Sequence, residues 1–351
     1  MQFVKPIAVI HTAHNLKGGL QLAEFAGRLC YKSESNACPG TYQKFLFMLM
    51  NKGHTSILEH CPIYICGYKN DLGTVANAII KSPFSRFTRT DTVTSTNPFC
   101  YIYSNLRVIY DFDSDFAKQL VMTSTMEGDD IWKDQGVAWF VPKFNNPYAR
   151  MSAYITTLRS IVDELVRERI QSEAVESTRW CDYSNDNKFE GITFCLPHWI
   201  NYSIFDSCMK RFLADVKEAN INKDKIDKLY DYEDIAFCLY QNTEAIEAKR
   251  CYHYIRASIL DEILYNEAKD ELKLPAQDAR EYLFLGVKSE MYYTGYNEDW
   301  DNIIEKRLYD KYGKAHENMH VIMQKCKDHL NSIRVSQKAA QDDGTSKSAS
   351  K

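Results

Sequence analysis

The 351-residue chain contains no run of about 18 apolar residues, so no segment reads as a membrane-spanning helix. Its start, MQFVKPIAVIHTAHNLKGG, holds too short an apolar run for a signal peptide and no small-residue cleavage site. No C-x-x-C pair occurs among the 11 cysteines; an odd, scattered set, as Cys61 and Cys66 illustrate, fits reduced thiols better than a disulfide framework. G-x-G-x-x-G, G-x-x-x-x-G-K-[ST] and G-x-S-x-G are all missing, so any nucleotide must be held without a Rossmann or P-loop cradle. Neither charge sign dominates: 43 Lys and Arg face 47 Asp and Glu, and a net charge of -4 gives no global reason to expect nucleic-acid binding. No internal repeat is visible. These absences lead us to expect a cytoplasmic globular protein that binds neither membrane nor nucleic acid.

What is present is ordinary for a globular chain: 45% hydrophobic and 26% charged residues, with 23 Tyr suited to a wet, ring-lined interior or interface. LQLAEFAGRLCY (20–31) and TYQKFLFMLMNKGH (41–54) carry apolar residues at helical spacing, with Gly53 as a stop. IYICGY (63–68), CYIYSNLRVIY (100–110) and GITFCLP (191–197) read as strands. SAYITTLRSIVDELVRERI (152–170) places Ile155, Leu158, Ile161, Val162, Leu165 and Val166 on one face and reads as a helix. Residues 257–272, 301–312 and 316–330 read as amphipathic helices. The polar, small-residue tail 335–351 is expected to be disordered. Helices bracketing a few strands, without regular βαβ alternation, give an α/β (α+β) fold class.

HENMH (316–320) matches H-E-x-x-H, which on a helix presents two imidazoles to zinc beside a general-base Glu. The match is short, no Glu follows Glu317, and Met323 stands where the longer metzincin pattern needs Gly. A zinc protease is therefore a remote alternative, and no metal is expected. HTAH (11–14) has no partner at zinc-site spacing.

The sharper signal lies at 167–184, RERIQSEAVESTRWCDYS. Mixed charges ordinarily mark a solvated helix face. Here Ser172, Ser177 and Thr178 stand where a helix prefers Ala, Leu or Lys, and the run ends in Trp180, Cys181 and Tyr183, which favour burial. Arginine forks in a partly dry pocket suit phosphate or carboxylate recognition. The stretch resembles the signature of the flavin-dependent thymidylate synthases, R-H-R-x-x-S-x-N-E-x-S-x-R-Y. Arg167, Arg169, Ser172, Ser177 and Arg179 match, whereas Glu168 replaces the His, Ala174 the Asn, Val175 the Glu and Trp180 the Tyr. GHTSILEH (53–60) is similar to the family's G-H-x-S-x-x-E-H element. QDAREYLFL (277–285) resembles its A-R-x-x-L-P-L element, with Phe284 in place of Pro, and the interval from Arg280 to Arg307 fits. The resemblance covers about half the chain, roughly 20–60, 155–200 and 255–325, and three motifs in the right order make it strong.

The resemblance implies one domain over 1–334 with a mostly antiparallel central sheet flanked by helices, insertions at about 61–150 and 205–250, and a homotetramer with sites shared between subunits. It implies reductive methylation of dUMP to dTMP, with methylenetetrahydrofolate as carbon donor, FAD as hydride carrier and NADPH as reductant. Glu164, Arg167, Glu176, Ser177, Thr178, Arg179, Arg280 and Arg307 are the expected substrate contacts. His54, Ser56, Glu59, Arg167, Glu168, Arg169 and Asn302 are the expected flavin contacts. Arg307 and Ser177 are the catalytic candidates, Arg307 facing the pyrimidine as a fixed cation for developing enolate-like charge. Ser177 has no His or Lys base beside it in sequence, so its hydroxyl reads better as part of a phosphate cradle than as a nucleophile. Glu168 is expected to be locked between Arg167 and Arg169. A homologue that kept nucleotide or flavin binding and lost turnover is the alternative that Glu168, Ala174 and Val175 suggest.

Overall fold

The computed structural model describes residues 1–13, 15–68, 88–92, 99–123, 137–140, 142, 146–179, 181–183, 191–222 and 228–348. Strands β1 (Gln2–Val4) and β2 (Ile7–His11) lead into helix α1 (Leu16–Cys30), whose start is fixed by the Asn15 side chain accepting from the Gly18 N–H at 2.8 Å. Helix α2 (Thr41–Asn51) ends at Gly53, whose φ of +74° is the left-handed conformation that glycine adopts without cost. A 3-10 turn, Thr55–His60, precedes β3 (Pro62–Tyr68), β4 (Arg89–Thr92) and β5 (Phe99–Asn105). Then come α3 (Leu106–Phe112), α4 (Ser114–Thr123), β6 (Val137–Trp139), β7 (Arg150–Leu158), α5 (Arg159–Leu165), β8 (Ser172–Val175) and β9 (Thr193–Cys195). The remainder is helical except for one strand: α6 (Tyr202–Glu218), α7 (Leu229–Gln241), α8 (Ile246–Asp270), β10 (Lys288–Tyr296), α9 (Asn297–Arg307) and α10 (Glu317–Ser348).

Three expectations are corrected. The strand read at 100–110 stops at Asn105, because its side chain accepts from the Val108 N–H at 3.2 Å and starts α3. The helix read at 152–170 is strand β7 followed by the short α5. All but one residue of β7 is buried, and Ile155, Thr156 and Thr157 are β-branched, so the strand reads as a continuous run that periodicity does not separate from a helix. The segment expected to be disordered from 335 continues α10 to Ser348, through Ala339 and Ala340, which favour helix.

Where the sequence suggests one domain, the chain forms two compact units. The first comprises Met1–Ile7, Thr156–Leu165 and Glu176–Glu290; the second comprises Ala8–Ile155, Val166–Val175 and Met291–Lys351. The insertion at 205–250 falls in the first unit and that at 61–150 in the second. In the first, β1 pairs parallel with β9, Phe3 opposite Phe194. Its core gathers Phe194, Phe205, Phe212, Tyr252, Ile255, Ile259 and Tyr265 from α6, α8 and β9. Along α8, apolar and polar side chains alike are buried on nearly every face. In the second unit β4-β5-β3-β6 form an antiparallel sheet. A further sheet has the order β2-β7-β10-β8, with β10 and β8 antiparallel and Tyr293 opposite Glu173. The chain passes between units within β2, β7 and β10.

Candidate functional site

In the first unit the turn that follows β8 carries the expected phosphate contacts. Glu176 opens it: its N–H donates to the Glu290 carbonyl at 2.8 Å, and its Oε2 accepts from the Glu290 N–H at 3.2 Å. The same carboxylate lies 3.4 Å from the Lys288 ammonium, which is also 3.1 Å from Glu290 Oε2. Glu176 was an expected substrate contact; at 1% exposure it turns into the protein and not outward. Beyond it, Ser177 Oγ accepts from the Arg179 N–H at 3.3 Å and the Ser177 carbonyl accepts from the Cys181 N–H at 3.0 Å. Arg280 Nη1 donates to Thr178 Oγ1 at 2.8 Å, joining two expected contacts 102 positions apart. Arg179 is exposed, and Glu164 sits half-buried in α5. Trp180 lies outside the described residues.

The loop after Arg280 is held from behind. Both Asp261 oxygens accept from the Phe284 N–H, at 3.0 and 3.1 Å. Burial pushes the Asp261 carboxyl up to about 7, the Phe284 N–H opposing and the Glu262 charge adding.

In the second unit Glu168 departs from expectation. Its carboxylate accepts from Arg307 Nε at 2.8 Å and from the Lys306 ammonium at 3.2 Å, while Arg167 and Arg169 are exposed. The last turn of α9 supplies the cations that pair with Glu168 instead. Arg307, the expected ring contact, is thus held by a carboxylate. Asn302 is exposed on the same helix. His54 is exposed, its Nδ1 3.2 Å from the Tyr31 hydroxyl, and Ser56 is exposed beside it. Glu59 offers its backbone carbonyl to Arg150 Nη2 at 3.1 Å, and that guanidinium also donates to Ser172 Oγ at 3.2 Å. His60 Nδ1 lies 2.7 Å from Thr294 Oγ1, itself 2.7 Å from Ser152 Oγ. Burial, aided by the Arg150 charge, pulls the His60 pKa down to about 3, so the ring is neutral near pH 7.

Sequence reasoning missed Lys288, Glu290, Lys306 and Arg150. Two charged residues just before the apolar run Met291–Tyr293 were the available signal for Lys288 and Glu290, both of which fall in β10. In HENMH, His320 Nε2 lies 2.9 Å from Asp310 Oδ1 and its Nδ1 3.2 Å from Glu317 Oε2. His316 Nδ1 accepts from the Asn318 N–H at 3.1 Å. The two rings serve local hydrogen bonds.

The model of the family described as "Thymidylate synthase complementing protein" matches residues 148–333, more than half of the chain. The chain belongs to that family, the flavin-dependent thymidylate synthases. Two curated relatives named flavin-dependent thymidylate synthase, from Mycobacterium sp. strains KMS and MCS, are each 44% identical over 55 residues, 14% of this chain and 22% of the relative. The chain thus spans about a fifth of the length of these relatives. Thymidylate synthase X from Helicobacter pylori, solved with FAD and dUMP, is 14% identical over 51% of this chain and 66% of its own, with a TM-score of 0.30. The UMP/dUMP methylase PolB from Streptomyces cacaoi, bound with 5-Br dUMP, is 11% identical over 97% of this chain and 96% of its own, with a TM-score of 0.36.

Proposed function

We propose that this protein makes dTMP from dUMP by flavin-dependent reductive methylation. The observation that carries the reading is the 2.8 Å bond from Arg280 to Thr178, in a turn that also presents Ser177 and Arg179. A nucleoside monophosphate needs fork-shaped donors and hydroxyls converging on one anion. Arg179 and Arg280 supply the forks, and Ser177 and Thr178 supply hydroxyls that donate to phosphate oxygens. In this reading Ser177 orients the substrate and is not a nucleophile.

The second unit suits an anionic dinucleotide: Arg167 and Arg169 are exposed forks, with the exposed hydroxyl of Ser56 and the imidazole of His54 available to it. Asn302 and the Glu59 region would complete that contact set. FAD, when bound, supplies hydride transfer, with methylenetetrahydrofolate as carbon donor and NADPH as reductant. Arg307, fixed by Glu168, serves as the cation for negative charge developing on the pyrimidine ring. A homotetramer with shared sites would cover the exposed Arg167, Arg169 and Arg179.

One observation favours a second reading, a binding protein without turnover: the Arg307 guanidinium already holds a carboxylate, Glu168, which offsets part of its charge. Release of tritium from C5-labelled dUMP, with FAD, methylenetetrahydrofolate and NADPH supplied, separates the two. Release supports the synthase; calorimetric dUMP binding without release supports the binding protein; neither binding nor release overturns both.

A further inference from the structure

We propose that Lys288, clasped between Glu176 and Glu290, is a positioning residue that holds the Ser177–Arg179 turn in its phosphate-binding form. The proposal rests on the reading of that turn as the phosphate cradle. Lys288 is 1% exposed, Glu176 1% and Glu290 3%. A fully buried ammonium is costly unless paired, and here it lies between two carboxylates, 3.4 and 3.1 Å away. Burying such a set costs stability that an apolar trio of similar volume would not, so its retention calls for a use.

The geometry shows the use. Glu176 immediately precedes the turn, and three contacts pin it to the start of β10: its N–H to the Glu290 carbonyl, its carboxylate to the Glu290 N–H, and that carboxylate to the Lys288 ammonium. The Tyr183 phenol, its pKa raised first by burial and then by the Glu176 charge, stays protonated beside that carboxylate. Ser177 Cα is therefore launched from a fixed point. From there Ser177, Thr178 and Arg179 take up the geometry that Arg280 completes. Oriented donors lose little rotamer freedom on binding an anion, whereas a slack turn must be ordered by its ligand. Charge argues in the opposite direction: carboxylates outnumber the ammonium within the set, so the set itself does not attract phosphate. The positioning role and the electrostatic one thus predict opposite signs when the set is neutralised.

The test compares dUMP with deoxyuridine, which lacks the phosphate, by titration calorimetry on the whole protein. Lys288→Met leaves two buried carboxylates facing each other and is prone to unfold. The triple variant Glu176→Gln, Lys288→Met, Glu290→Gln removes all three charges of the set together and is the decisive one. The parent's preference for dUMP over deoxyuridine should fall about tenfold in the triple variant, with deoxyuridine affinity unchanged, because one phosphate-directed donor set loses its orientation. A preference that is unchanged, or that rises, overturns the proposal. So does an equal loss for both ligands, which would mark a merely structural role. A parent that binds dUMP and deoxyuridine equally removes the phosphate reading and this proposal together, whereas the other outcomes touch this proposal alone.

Discussion

Restoring the family's histidine by Glu168→His tests the local electrostatics most directly. The Glu168 side chain is 10% exposed and its carboxylate holds Arg307 at 2.8 Å and Lys306 at 3.2 Å. A neutral imidazole has one acceptor nitrogen, so it can hold one of the two cations and not both. Protonating it there is disfavoured, since it would place a third positive charge between two others. Losing one charge-assisted bond costs about 1.5–3 kcal/mol. Arg307 and Lys306 are 25% and 35% exposed, so water recovers part of that loss and the lower half of the range applies. We therefore expect Glu168→His to be less stable in urea unfolding by about 1.5–2 kcal/mol. Glu168→Gln, which keeps an acceptor oxygen for Arg307 Nε, should lose less. High salt should narrow the gap between parent and variant, because the paired cations are partly exposed. Flavin retention on gel filtration should fall with stability, since Arg307 and α9 lose their anchor. A histidine variant as stable as the parent, or one that retains more flavin, would show that the ion pair holds nothing in place.

Arg179→Lys should weaken dUMP binding by about 1.5–3 kcal/mol, ten- to over a hundredfold, because an ammonium lacks the fork that meets two phosphate oxygens. Equal dUMP affinities in calorimetry would remove Arg179 from the site. Asp261 has its pKa raised from 3.8 to about 7 in the fold, so its contribution to stability is full below pH 3.8 and is lost as pH rises through 7. Asp261→Asn, which still accepts from the Phe284 N–H, should therefore gain stability relative to the parent between pH 5 and 8 in denaturant titrations; a constant difference across that window would refute the assignment. His60, depressed from 6.5 to about 3, carries the opposite sign: its contribution is present above pH 6.5 and is lost as pH falls toward 3. His60→Gln should flatten that acid limb. Gly295→Ala would set a methyl 1.5 Å from the Gln171 amide oxygen, the far end of a flexible side chain that must swing aside, so the cost sits at the low end of overpacking, about 1 kcal/mol, read as a lowered thermal midpoint.

The meeting of Arg280 with the 177–179 turn was legible because most of that set is contiguous in sequence. Ser177, Thr178 and Arg179 occupy one turn, and Arg280, expected as a second clamp, bonds to Thr178. Helices α1 and α2 were legible from apolar spacing and a glycine stop, since burial on one face leaves a 3.6-residue period. Strand β7 was not, because burial on both faces erases the period that separates strand from helix. The arginine lock expected around Glu168 failed for a different reason. Charge pairing was inferred from proximity along the chain, yet the carboxylate reached 139 positions away to Arg307.

Glu168 and Glu176 share a pattern that sequence position alone does not reveal. Each is a carboxylate inside the signature stretch, and each turns inward to a cation from the last quarter of the chain: Glu168 to Lys306 and Arg307, Glu176 to Lys288. At position 168 the family's usual residue is an imidazole, which neither demands nor neutralises two cations, so the glutamate is tolerable only with a paired last turn on α9. The departure from the signature and the Lys306–Arg307 pair are thus one physical unit within their part of the fold. Removing the glutamate alone leaves two cations side by side, whereas removing Lys306 as well leaves Arg307 as a single cation with no like charge beside it. The variant Glu168→His with Lys306→Met should accordingly lie closer to the parent in stability than Glu168→His alone, by a coupling of about 0.5–3 kcal/mol. Strict additivity of the two changes would mean that Lys306 is a bystander and that Arg307 alone explains the retained glutamate.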